Sequence, residues 1–263
     1  MSAFFTLNIS GTISNTDDLP ASAQTCAVFL FFRFYHRGLL IPHEAIRRQM
    51  TMMLQSVSAM PDSPSDNELW KVTLFAVWFC DYFFVIIEEH HNAEEKVYFP
   101  WIKTKAEYPE KEFNKDHEEL ETDMTAIKAV CKKILRKKGK NCNEEIAILK
   151  NKTPAFETDM RAHLKEEEGS LPALLRDNFT QEEEGVAVEK IIKAGGLVMA
   201  KKFLPAIMLA MQEWAKPGLY EEFCGSMPPC ELCQISDAMP PKQTHSLLSL
   251  FLYIVTQPLS IWH

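Results

Sequence analysis

The same ten-residue phrase occurs twice in this chain, and it limits what the chain can fold into. Residues His91 to Pro100 read HNAEEKVYFP and residues His163 to Pro172 read HLKEEEGSLP, both fitting H-x-x-E-E-x-x-x-[FL]-P with identical spacing. On a helix, positions i and i+4 lie about 40° apart around the axis and one turn along it. His91 with Glu95, and His163 with Glu167, can therefore each aim an imidazole and a carboxylate at one point. Two such helices facing each other bring two histidines and two acids to a shared interior. Glu94 and Glu166, one position earlier, lie near the same faces and stand as ligands or supporting groups. His90 has the same relation to Glu94, but only His91 stands nine residues before its proline, as His163 does. His90 is accordingly read as a supporting or exterior residue, pointing roughly 100° away.

Further histidines fall on the other two helical segments. His43 opens HEAIRR, and His117 opens HEELETDM with Glu121 one turn later. His36 is one heptad before His43 but precedes Gly38, where the helical pattern is expected to break. A lone H-x-x-x-E on a charged helix is ordinarily a surface pair. A matched couple with histidines on two neighbouring helices is the donor set of a dinuclear non-haem site.

The periodicity predicts an all-α chain, an antiparallel four-helix bundle followed by an additional helix and an irregular tail. An apolar stretch from Cys26 to Tyr35 breaks near Gly38 and Pro42, then resumes helically. Ser65 and Glu68 have capping-box spacing ahead of a long aromatic-rich helix from about Asn67 to Lys105. A charged third helix follows Pro109 and ends near Gly139, where a basic run complements its dipole. The fourth runs from about Glu144 to Asp177, with a kink expected at Pro154. Thr180 and Glu183 announce a fifth helix, interrupted around Gly195, Gly196 and Pro205. The expected division is a flexible arm over 1–21, a metal-binding bundle over 22–178, an added helix over 179–215 and a Pro/Cys-containing extension over 216–263.

Lys and Arg total 28 against 36 Asp and Glu, a net charge of -8, which argues against a nucleic-acid partner. Seven cysteines without a disulfide-like framework suit a reducing, cytoplasmic setting, and no secretory leader is expected. No run is expected to reach the roughly 20 apolar residues that span a bilayer. Cys224, Cys230, Cys233 and His245 have irregular outer spacing for a zinc site and read as free thiols with an unrelated histidine.

With these motifs in place, the chain resembles the hemerythrin-like (HHE cation-binding) domain family over about Ala27 to Arg176. The resemblance implies a four-helix bundle and a non-haem, carboxylate-bridged centre of two iron ions, although manganese or zinc suits the same donors. It implies His43, His91, Glu95, His117, His163 and Glu167 as ligands. It further implies binding of O2 or a related small ligand, or a role in iron handling or sensing. Oxygen-carrying members have two histidines one turn apart on the third helix, where this chain has His117 and Glu121. An extra carboxylate would favour the ferric state and weigh against simple reversible carriage. A di-iron carboxylate enzyme activating O2 or peroxide and a metal-free helical interaction module are the alternatives. No protein partner is legible.

Overall fold

The computed structural model describes residues 37–215 and 218–226, and these are largely helical with no strand. The four long helices are α1 (Arg37–Ser58), α2 (Leu69–Ile102), α3 (Glu110–Lys137) and α4 (Asn143–Asn178). They are followed by α5 (Gln181–Val198), α6 (Leu204–Trp214) and a short α7 (Leu219–Ser226). His36, the N-terminal arm, Cys230, Cys233 and His245 lie outside the described residues. Residues 219–226, expected to be irregular, are helical.

Each bundle helix has a buried stripe at three- and four-residue spacing. In α3 the stripe is Phe113, His117, Leu120, Met124, Ile127, Cys131 and Ile134. In α4 it is Leu149, Thr153, Phe156, Met160, His163, Glu167, Leu171 and Leu175. In α1 it includes Leu39, His43, Ile46, Met50, Met53 and Val57. A helix turns its core-facing positions inward whatever their chemistry, so these histidines sit where a leucine would otherwise pack. α3 lies along α4 and the first half of α2, while α4 lies against α1.

The polar positions are at equivalent heights and cut the core in two. One apolar cluster contains Ile46, Phe83, Ile87, Leu120, Met160 and Leu164. The other contains Leu39, Tyr98, Phe99, Phe113, Leu171 and Leu175. On every helix the histidines fall between members of the first cluster and members of the second. The bundle thus has a buried polar layer with dry packing above and below.

Several local expectations are corrected. α1 continues through Gly38 and Pro42 without the predicted break. The Ser65/Glu68 box is only half formed: Ser65 Oγ and N donate to the Glu68 carboxylate, and the helix starts at Leu69 without a side-chain cap. Thr180 and Glu183 do form a reciprocal capping box. α3 ends as anticipated, with Lys138 and Gly139 at positive φ and Gly139 N–H donating to Ile134 O across the turn. Gly196, at φ 48°, interrupts α5 where the glycine pair predicted it.

α2 also has the length and hydropathy of a bilayer span, contrary to expectation, although most of its apolar window is buried against the rest of the protein. It contains two π-helical turns, Phe79–Phe83 and Glu94–Tyr98. The second of these decides the site.

Candidate metal centre

The polar layer consists of His43, His90, His91, Glu94, His117, His163 and Glu167, each no more than 7% exposed. Their donor atoms fall into two groups. His91, His117 and His163 form one, and His43, His90, Glu94 and Glu167 the other. Within the layer His117 Nε2 lies 3.1 Å from His163 Nε2, and the rings of His91 and His117 stack at 4.0 Å.

Both buried carboxylates reach across the layer. Glu167 places Oε2 3.4 Å from His43 Nε2, and Oε1 3.5 Å from His163 Nε2 and 3.8 Å from His117 Nε2. Glu94 places Oε1 3.7 Å from His43 Nε2, and Oε2 3.4 Å from His90 Nε2 and 3.6 Å from His117 Nε2. Two donors bound to one cation at about 2.1 Å are about 3.0–3.4 Å apart, by simple octahedral or tetrahedral geometry. The separations seen here are at or slightly above that range.

The layer has an unmet demand. His43 Nε2, His90 Nε2, His91 Nε2 and both oxygens of Glu94 and of Glu167 are buried without a hydrogen-bond partner. Buried polar atoms left unpaired cost roughly 1–3 kcal/mol each, so such a concentration calls for a compensating ligand. Nitrogen and carboxylate donors converging without sulfur suit a divalent or trivalent transition-metal cation. The described cysteines Cys80, Cys131 and Cys142 are free and belong to neither group.

An outer set of carboxylates orients the rings. His43 Nδ1 donates to Glu168 Oε1 at 2.8 Å, and Glu168 is in turn held by Arg47 Nη2 at 2.7 Å. His117 Nδ1 donates to Glu95 Oε1 at 2.8 Å. His163 has no such support: Asp116 stands 3.6 Å from its Nδ1, which is buried without a hydrogen-bond partner. Holding Nδ1–H on a carboxylate leaves the Nε2 lone pair facing the interior, the usual outer support of a metal-binding histidine.

Protonation preferences follow from the crowding. Burial lowers the pKa of His43, but Glu167, Glu168 and Glu94 outweigh it and hold it well above the usual value. Burial likewise opposes protonation of His117, whose neighbours Glu167, Glu94 and Glu95 raise it to about 9. Burial and the nearby Glu167 push Glu94 up to about 7. Burial also works against Glu167, yet its contacts with His117 and His43 hold it below the ordinary carboxylate range. His90 and His91 are driven well below the usual value by burial and by one another's neighbourhood of imidazoles.

Of the residues expected as ligands, the structure brings together His43, His91, His117, His163 and Glu167. Glu95 is not among them: its side chain is 42% exposed and supports His117 from outside. Its place is taken by Glu94, and His90 is interior instead of peripheral. The reason is the π-helical turn. His90–Glu94 and His163–Glu167 are the structurally matching i,i+4 pairs, at 3.4 and 3.5 Å. From Glu94 to Phe99 the chain takes five residues, with Phe99 N–H donating to Glu94 O, where regular α-helix from Glu167 to Leu171 takes four. The extra residue is absorbed there, so counting back from the prolines misaligned the pair by one. Glu166 is exposed on a groove between α3 and α4. Glu121 is exposed on a groove between α2 and α3, so it adds no carboxylate to either donor group. Glu168 was missed; its only sequence signal is its place in the run Glu166-Glu167-Glu168.

A helical bundle with a buried histidine and carboxylate layer of this chemistry defines a cation-binding protein. The family model of the hemerythrin HHE cation binding domain matches residues 39–175, slightly more than half the chain, and the protein belongs to that family. Neither a curated protein nor a solved structure gives a significant match to the chain. The matched span begins at Leu39 and ends at Leu175, so it includes the whole polar layer and leaves α5 to α7 outside.

Proposed function

We propose that the buried layer holds two iron ions and that the protein uses them to bind O2 or a related small ligand, or to handle iron. The observation that carries this reading is the division of the donors. His91, His117 and His163 form one set and His43 and His90 the other, with Glu94 and Glu167 each offering oxygens toward both. Two cations held by these histidines and by Glu94 and Glu167 would satisfy the orphaned Nε2 atoms of His43, His90 and His91 and the oxygens of both glutamates. Iron in this setting supplies redox chemistry and an affinity for O2-like ligands. The nitrogen and oxygen donors, the free thiols elsewhere and the cation-binding family support it.

A second observation favours a small ligand. A cavity of about 70 Å³ abuts His90, Glu94 and Tyr98 and is otherwise lined by apolar side chains, among them Ile191, Ile192, Phe203 and Ile207. Its volume is about that of two water molecules in the liquid, and its walls favour an uncharged molecule. The lining from α5 and α6 presents hydrocarbon to that side of the layer. Tyr98 is held there, its hydroxyl donating to Glu184 Oε1 at 3.1 Å.

Metal analysis of protein purified from iron-supplied cells, with an absorption spectrum before and after deoxygenation, tests the reading. Close to two irons per chain and a spectrum that responds to O2 are expected. An iron-free protein that also refuses added ferrous ion would overturn it in favour of a metal-free helical module. Irreversible oxidation with turnover of a co-substrate would move it to a di-iron enzyme.

A further inference from the structure

We infer that cations reach the layer through the groove between α2 and α3, and that the carboxylates of that groove are a loading path separate from the ligands. The inference rests on the metal reading above. The groove has a volume of about 680 Å³ and is lined by Glu88, Glu95, Glu118 and Glu121, with His91 and His117 at its inner end. Its one lysine, Lys103, is tied to Glu110 at 2.5 Å. Of the remaining four carboxylates, Glu95 engages His117, and Glu88, Glu118 and Glu121 lie along the wall with no cation from the lining paired to them.

Acidic residues alone are common on a surface without any role. Here they lead to a specific end. His91 is 7% exposed and lines the groove, while its Nε2 has no hydrogen-bond partner. Beside it is His117, whose Nδ1 is engaged by the groove residue Glu95. A cation moving inward exchanges water for surface carboxylates and then for imidazole nitrogen. The group of His91, His117 and His163 is met first, and the group containing the fully buried His43 and Glu167 lies behind it.

Other approaches are less suited. On the α5 and α6 side the layer is covered by the small apolar cavity, which a hydrated cation would enter only by shedding its water against hydrocarbon. The groove between α3 and α4 is also acidic, with Asp116, Asp123, Asp159 and Glu166, and it ends at His163. There the facing nitrogen is Nδ1, 3.6 Å from Asp116, whereas His163 Nε2 points to His117. That groove meets the ring at Nδ1, which has no hydrogen-bond partner, and does not open on the side that turns toward His117.

The test is the rate of cobalt(II) uptake by the metal-free full-length protein, followed by absorbance after rapid mixing. A Glu88→Gln/Glu118→Gln double variant should load about tenfold more slowly at low ionic strength, since a line of like charges concentrates counter-ions by such factors. Its final cobalt content should equal that of the unaltered protein, which also shows that it is folded. An Asp123→Asn/Asp159→Asn variant should load at the unaltered rate. Uptake by the unaltered protein should itself slow when salt shortens the Debye length to about 3 Å. Unchanged rates in the first variant, slowing in the second, or salt-independent uptake would each overturn the loading path while leaving the metal centre intact. No uptake by the unaltered protein would overturn both.

Discussion

His117 Nδ1 donates to Glu95 Oε1 at 2.8 Å, while His117 Nε2 faces Glu94 Oε2 at 3.6 Å. One imidazole therefore separates two adjacent glutamates into different tasks. Glu94 is fully inside the layer, and Glu95 is on the groove with its side chain 42% exposed. The contrast gives the first prediction. Glu94→Gln should abolish stoichiometric iron binding, because it removes a charged oxygen reaching both donor groups. Glu95→Gln should keep the stoichiometry and weaken affinity by about 10–100-fold, the usual effect of losing an outer partner. Competition titration with a chelator of known affinity separates these outcomes, and equal losses would show that the two residues share one role.

His90 offers a sharper choice between sequence spacing and tertiary placement. It is 2% exposed, with Nε2 3.4 Å from Glu94 Oε2. His90→Ala should bring the iron content below two per chain and lower the melting temperature of iron-loaded protein, since bound metal adds to folding free energy. Retention of two irons would return His90 to a merely structural position.

The metal-free protein should lose stability as pH rises from about 6.5 to 9. His117 is raised to about 9 by Glu167, Glu94 and Glu95 against the opposing effect of burial. A histidine raised in the folded state contributes stability that is complete below its unfolded value near 6.5 and disappears as pH passes through 9. Glu94, raised to about 7 by burial and by Glu167, acts in the same sense at lower pH, because its ionised form is disfavoured on folding. Iron-loaded protein should behave oppositely over this range, because its ligands bind deprotonated. Thermal melts at several pH values, with and without iron, measure both slopes. A metal-free melting temperature that rises with pH would contradict the contacts assigned to His117.

Phe83 tests the apolar half of the architecture. It is fully buried and packs on Trp78, Phe79 and Phe156. Phe83→Ala should cost about 3–5 kcal/mol of stability, read by denaturant unfolding of metal-free protein. A loss below about 1 kcal/mol would mean that the core around α2 repacks freely.

The repeated phrase, the heptad-like stripes and the caps were legible because each depends on neighbours within one or two helical turns. They led to an all-helical bundle and to His43, His91, His117, His163 and Glu167 on core-facing positions. Thr180 with Glu183, and Gly139 after the basic run, likewise needed only local chemistry. The continuation of α1 through Pro42 was not legible, because helix propensity there yields to the packing of Leu39 and Ile41 in the core.

By itself the sequence determined that histidines and carboxylates occupy the inward stripes of several helices, since a fixed helical period converts spacing into a shared face. Only the tertiary structure decided that His90 with Glu94, and not His91 with Glu95, is the α2 pair matching His163 with Glu167. The π-helical turn at Glu94–Tyr98 inserts one residue into α2, rotating the later positions relative to a regular helix and placing Glu94 inside and Glu95 outside. The packing of the helices likewise placed Glu168 on His43 and Glu121 on an open groove. Those assignments depend on how four helices meet, and no period along one helix contains that information.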